Sequence, residues 1–137
     1  MPVRRRSLVG IHETVLYGTD LVALGGFYAD VLELRSVSRM GDLGHAYRLP
    51  DGGVLLLFDP AAAAAPGRDV PSHGASGPGH VAFMTEPGTL PAWRDHLVAH
   101  DVEIEAELEW DRGGRSLYVR DPAGNSVEIV DGEIWPD

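Results

Sequence analysis

The chain contains no cysteine, which excludes disulfide scaffolds, thiolate zinc sites and cysteine nucleophiles. Positive charge is scarce: 11 Lys and Arg stand against 21 Asp and Glu, a formal net charge of −10. A general nucleic-acid binder needs a basic stripe that releases phosphate counterions, so that class is set aside. No apolar run approaches the roughly 20 residues of a membrane-spanning helix. The opening "MPVRRRSLVG" has three arginines but no apolar stretch of secretory length, so no signal peptide is expected. The arginines read as a solvated arm. By default, a cytoplasmic protein with neither nucleic-acid nor membrane partners is expected.

The 137 residues suffice for about one ordinary domain, or for two half-domains sharing a core. Gly and Pro crowd "PAAAAAPGRDVPSHGASGPG" at 60–79, where no apolar period survives. That stretch reads as a connector. The resulting division is one domain over 1–137: module 1 at about 8–59, linker 60–79, module 2 at about 80–131 and a tail at 132–137.

Both flanks carry the same signals in the same order. "IHETVLY" alternates like a strand. Asp20 can N-cap "LVALGGFYADVL", a helix that Gly25 and Gly26 weaken by about 1 kcal/mol each unless a close neighbour needs the room. "LRSVSRM", "HAYRL" and, after the turn "PDGG", "VLLLFD" read as strands. In the second flank "HVAFMT" is a strand, Thr89 and Pro91 start the helix "PAWRDHLVAH", and "VEIEAELEW" alternates strictly. "RSLYVR", the turn "DPAGN" and "SVEIVD" close the module. Glu13 registers on His80 at an offset of 67, and Leu56 on Glu128 at an offset of 72. Each half is β-α-β-β-β, too small to be stable alone. The expected fold is α+β: two paired βαβββ modules forming a curved, cleft-enclosing mixed sheet with helices outside.

Glu128 is the odd residue in "SVEIVD". A buried unpaired carboxylate costs several kcal/mol and persists only beside a cation, a proton or a good donor. Strand parity puts Ser126, Glu128 and Val130 on one face. It groups His80 with Ala82 and Met84, and Glu13 with Val15 and Tyr17. The opposite residues can pack under helices, which leaves the His and the carboxylates to line a cleft.

Two stretches, "FYADVLEL" at 27–34 and "LYVRDPAGNSVEI" at 117–129, carry a family resemblance. The chain resembles the glyoxalase / bleomycin-resistance / extradiol-dioxygenase superfamily, the vicinal oxygen chelate fold, over about residues 8–131. Glu33 departs from the pattern, where Gly is commoner. The resemblance implies one divalent metal in the cleft between paired modules, with ligand positions at Glu13, Leu56, His80 and Glu128. Leu56 cannot ligate. Three protein ligands then remain, Glu13, His80 and Glu128, with His12 the alternative to Glu13, since neighbouring strand residues point oppositely. Such a set suits Mn, Fe, Zn or Ni without selecting among them. His45, His73, His96 and His100 read as structural or exposed.

An open-site metal can chelate two neighbouring oxygens and stabilise an enolate-like charge. Glu128 and Glu13 are the candidate ligands or bases. Tyr17, Tyr47, Tyr118 and Arg115 are candidates for binding a small-molecule substrate. The expected function is a divalent-metal-dependent enzyme acting on a small oxygen-chelating substrate. The resemblance implies a His before "LY" for ring-cleaving dioxygenase chemistry, which "DRGGRS" lacks, and a fourth ligand for glyoxalase-type isomerases where Leu56 stands, so lyase or isomerase chemistry is only slightly favoured. The alternative is a metal-free protein that sequesters a drug, of the bleomycin-resistance type. The resemblance also implies a homodimer, in which Glu13 meets His80 and Glu128 of its neighbour where modules pair across chains.

Overall fold

A computed structural model describes all 137 residues. "IHETVLY" supplies β1 (Glu13–Tyr17), and Asp20 caps α1 (Leu21–Gly26) by accepting the Ala23 N–H at 3.1 Å. The expected single helix through Leu32 changes pitch after the two glycines and continues as a π-helical turn, Phe27–Val31, closed by Leu32 N–H donating to Phe27 O at 3.0 Å. The wider turn lets Phe27, Tyr28 and Leu32 all be buried. Three strands follow: β2 (Arg35–Arg39), β3 (Gly44–Arg48) and β4 (Val54–Phe58). A helical turn, α2 (Pro60–Ala64), is capped by Asp59. Module 2 contains β5 (His80–Met84), α3 (Leu90–Ala99), β6 (Ala106–Glu109), β7 (Arg115–Arg120) and β8 (Ser126–Asp131).

The modules share one wiring. Sheet one runs β1-β4-β3-β2 and sheet two β5-β8-β7-β6. In each, the first and last strands pair in parallel and the other pairs are antiparallel. The paired βαβββ architecture is as expected, but the strands form two separate, unclosed sheets rather than one. Leu16, Leu55 and Leu57 of sheet one, Leu24 and Tyr28 of the first helix, Leu97 of α3, and Leu117, Val119 and Val127 of sheet two form one apolar cluster. Each sheet therefore buries its helix-covered face in a common core and leaves the other face uncovered by helix.

Gly25 explains the weak helix. A Cβ there would lie 2.8 Å from His45 Nδ1 and 2.9 Å from Tyr47 Oη, so α1 can approach β3 only over a bare Cα. Tyr47 donates to the Gly25 carbonyl at 3.2 Å. His45 Nδ1 is buried without a hydrogen-bond partner, and burial, with Arg39 second, holds the imidazole below its usual pKa. Gly25→Ala is expected to destabilise the protein by about 1–3 kcal/mol despite its better helix propensity, measured by urea denaturation. A stabilised variant would show that the contact gives way freely.

A buried polar staple ties the modules together. Asp121 Oδ2 accepts from Tyr28 Oη and from Asn125 Nδ2, each at 2.8 Å, while Oδ1 accepts the Ala123 and Asn125 N–H groups at 2.9 Å. Asn125 also donates to the Tyr17 carbonyl at 3.2 Å and accepts the Gly79 N–H at 2.7 Å. Gly79 in turn accepts the Ser126 N–H at 2.9 Å, which fixes the start of β5 and with it His80.

The connector is more ordered than its composition suggests. His73 N–H donates to the Ala63 carbonyl at 3.1 Å, its ring stacks on Phe58 with centroids 5.6 Å apart, and Arg68 lies over the same Phe58 ring. The alternation in "VEIEAELEW" yields a strand only at 106–109, because Val102 and Ile104 pack on the core ahead of it. Three of its glutamates pair with arginines: Glu105 with Arg120, Glu107 with Arg94, and Glu109 with Arg115. Glu33 takes a left-handed φ of 60°, at a cost of order 1 kcal/mol for a non-glycine residue.

Candidate functional site

Glu128 lies in the middle of β8 and is 4% exposed. Its face of sheet two also holds His80, Ala82 and Met84 of β5, Tyr118 and Ser116 of β7, and Leu108 of β6, by the strand registers. Glu128 Oε2 accepts a 2.6 Å hydrogen bond from Ser116 Oγ, which itself accepts from Trp110 Nε1 at 2.9 Å. Oε1 stands 3.2 Å from His80 Nε2. So the carboxylate has one oxygen held by donors and the other aimed at an imidazole.

The imidazole is held from its far side. His80 Nδ1 is 3.1 Å from the Ser126 carbonyl oxygen and 3.2 Å from Ser126 Oγ. A carbonyl oxygen only accepts, so that contact favours the tautomer with its proton on Nδ1. In the neutral ring, Nε2 then presents a lone pair to a carboxylate oxygen. Two lone pairs meeting at that distance need something positive between them, either a proton on Nε2 or a metal ion. Two donors each about 2.1 Å from a metal and about 100° apart are about 3.2 Å from each other, which is the separation found here. A carbonyl behind Nδ1 and a hydroxyl behind the carboxylate are the outer partners that orient metal ligands. His80 is half exposed, so the pair is open to solution.

Tyr118 sits directly opposite Glu128 in the β7–β8 register, and its ring stacks near that of His80, centroids 6.4 Å apart. Burial first, and the Glu128 carboxylate second, raise its phenol above the ordinary pKa, so it stays a protonated donor at the rim of the site.

The other expected residues are placed elsewhere. Glu13 is exposed at the start of β1 in sheet one, opposite Val54. Its parity matches Val15 and Tyr17, on the face turned away from Leu16 and the core. His12 precedes the strand, and its carbonyl accepts from Val54 N–H at 3.0 Å. No group of three His, Asp or Glu side chains in the chain is close enough to share a metal. Leu56, the counterpart of Glu128, faces the same side as Val15. Tyr17 is engaged through its hydroxyl by His73 Nδ1. Tyr47 turns the other way, 2% exposed in the core with its hydroxyl on Gly25, so it is not among the groups at an open face. Arg115 has the opposite parity to Glu128 and lies 2.7 Å from Glu109, so it is not beside the His80–Glu128 pair. Ser116 and Trp110 escaped sequence reasoning. Ser116 shares the parity of Tyr118, a usable signal; Trp110 lies in a loop that gives none. His96 donates its Nε2–H to the Val31 carbonyl at 2.7 Å.

No helix is long and apolar enough to cross a membrane. No protein of curated function matches the sequence. Among solved structures, that of a lactoylglutathione lyase from Agrobacterium tumefaciens is similar at 34% identity and a TM-score of 0.89, covering 96% of this chain and 100% of that one. A glyoxalase/bleomycin resistance protein/dioxygenase from Nocardioides is similar at 23% identity and a TM-score of 0.75, covering 97% and 91% of the two chains. A glyoxalase/dioxygenase from Nostoc punctiforme shares the fold at 22% identity and a TM-score of 0.67, covering 95% and 100%. A sequence model of one family matches residues 10–129, nearly the whole of both modules. The chain belongs to the glyoxalase/bleomycin resistance protein/dioxygenase superfamily.

Proposed function

We propose that the protein is a divalent-metal-dependent enzyme of the lyase or isomerase type, acting on a small substrate that presents two neighbouring oxygens. The observation that carries this reading is the convergence of His80 Nε2 and Glu128 Oε1, 3.2 Å apart on the uncovered face of an unclosed sheet. Similarity to a lactoylglutathione lyase structure supports the reaction class. His80 and Glu128 would hold the metal, with Glu13 of a second copy as the third ligand, because within one chain Glu13 belongs to the other sheet. A metal bound there supplies Lewis-acid stabilisation of negative charge on a chelating pair of substrate oxygens.

The chain's own groups do the rest. Glu128, with Oε2 anchored by Ser116, keeps Oε1 free to ligate or to hold a proton taken next to a carbonyl. Tyr118 donates a hydrogen bond at the rim. Ala82, Met84 and Val130 provide apolar walls on the same face. Elemental analysis tests the reading: about one equivalent of Mn, Fe, Zn or Ni per chain is expected. Protein that takes up no metal yet binds an organic cation tightly would favour the sequestering alternative, for which the net charge of −10 is the favouring observation.

Sharing a site between copies has its own test. Glu13→Ala and Glu128→Ala dimers should each lack metal. Unfolding and refolding them together makes half the dimers mixed, and each mixed dimer regains one intact site of two. About a quarter of wild-type metal should return. No recovery, or metal held by a monomer in sedimentation, would refute the shared site.

A further inference from the structure

A cavity of about 600 Å³ opens at the seam between the modules, where the β3–β4 turn faces the end of β5 and the start of α3. Leu34, Phe83, Met84, Trp93 and Ile129 are among its walls. The Trp93 indole N–H is already bonded to Thr85 Oγ1 at 2.8 Å, so the rest of that ring serves as apolar wall. Met84, 87% exposed, adds an adaptable thioether. The volume falls within the roughly 300–1,000 Å³ of small-molecule sites.

Charge sits at the rim. Arg35 and Arg48 both line the cavity and stand directly opposite each other in the antiparallel β2–β3 register. Like charges so placed repel, yet neither forms an ion pair: the arginines that do are Arg94, Arg115 and Arg120. Arg48 donates one N–H to the Gly52 carbonyl at 2.9 Å, which leaves most of its fork unclaimed. Glu33, the carboxylate on the lining, lies 3.7 Å from His96 Nε2. In a chain with 21 acidic residues, two arginines opposed on neighbouring strands and lining one cavity without a carboxylate partner are a selective omission. All 11 basic side chains are arginines, whose planar fork matches a carboxylate with two parallel hydrogen bonds.

We infer that this seam cavity is a second small-molecule site, separate from the His80–Glu128 pair, and that it takes an organic carboxylate with an aromatic or branched apolar body. The carboxylate sits between Arg35 and Arg48, and the body lies against Trp93 and Phe83. Met84, which the cavity shares with the His80–Glu128 face, is four residues along β5 from His80, about 13 Å at the usual strand rise, so a carboxylate held by Arg35 and Arg48 of the other sheet does not reach that pair.

Calorimetric titration of the full chain with naphthalene-2-carboxylate, and with naphthalene-2-carboxamide as its neutral twin, tests this. The acid should bind saturably and the amide about tenfold or more weaker. That difference should vanish in Arg35→Gln/Arg48→Gln and persist in Glu128→Gln. Equal binding of acid and amide would overturn the inference, as would unchanged affinity in the arginine variant. Loss of acid binding in Glu128→Gln would place the ligand at the metal centre instead. Absence of saturable binding into the millimolar range also overturns it, including the case in which a second copy covers the seam. Should the double variant melt early, Arg35→Gln alone, at an exposed strand position, carries the same test.

Discussion

Replacing Glu128 with alanine is expected to cut bound metal from about one equivalent per chain to less than about a tenth, since even outer-shell changes cost 10–100-fold in metal affinity. Two effects on stability separate. Without metal, the variant loses the Ser116–Glu128 hydrogen bond but also sheds a buried carboxylate, so a net cost of about 1–2 kcal/mol is expected. With metal in excess, wild-type protein gains about 2.7 kcal/mol at a hundredfold over Kd, and the variant gains none. Melting curves with and without chelator therefore distinguish a ligand from a structural residue. Glu128→Gln, which keeps the shape and can still accept from Ser116, should match Glu128→Ala in metal content while melting closer to wild type. A Glu128→Ala protein that still holds stoichiometric metal would remove the residue from the centre altogether.

The second large effect concerns Asp121, which takes no direct part in the proposed chemistry. Its carboxylate receives four donors: the Tyr28 hydroxyl, the Asn125 amide and two backbone N–H groups. Alanine leaves all four without their acceptor in a region where Asp121, Asn125 and Tyr28 are almost wholly buried. Each orphaned donor costs about 1–3 kcal/mol, and because they share one site the costs do not simply add. A loss of about 3–5 kcal/mol is expected, or about 10–17 °C in Tm for a chain of this size. Burial, then Asp121 itself, pushes the Tyr28 phenol well above its usual pKa, so it remains a donor at every pH that matters. Tyr28→Phe should therefore cost about 1 kcal/mol, and the double variant less than the sum. If Asp121→Ala loses less than about 1 kcal/mol in denaturant, the staple is not what joins the modules.

The internal repeat was legible because its two copies place strands and helices in the same order, and because "DPAGN" announces both a turn and a capped strand. Strand parity correctly placed Glu128, His80 and Glu13 on faces turned from the core, since the alternation is imposed by the pleat itself. Parity from a single strand could not orient Tyr47, whose side is set by the approach of Gly25 from a different element. Nor could it reveal that Arg115 would pair with Glu109 across β6 and β7. The π-helical turn was invisible because nothing in "FYADV" marks the wider Leu32 N–H to Phe27 carbonyl bond that forms it. The seam cavity was equally hidden, since Arg35, Arg48 and Trp93 converge from three elements with no shared motif.

The Tyr28–Asp121 bond spans 93 positions, and that has a consequence for biosynthesis. A ribosome delivers module 1 first, with the apolar side of its helix ready but the carboxylate that completes Tyr28 still untranslated. At about 5–20 residues per second, the sixty or so residues between Asp59 and Asp121 take roughly 3–12 s. Through that interval the nascent chain shows a greasy surface to whatever is nearby, which makes it a natural client for holding chaperones. Slow codons early in the second half would lengthen its dependence on them.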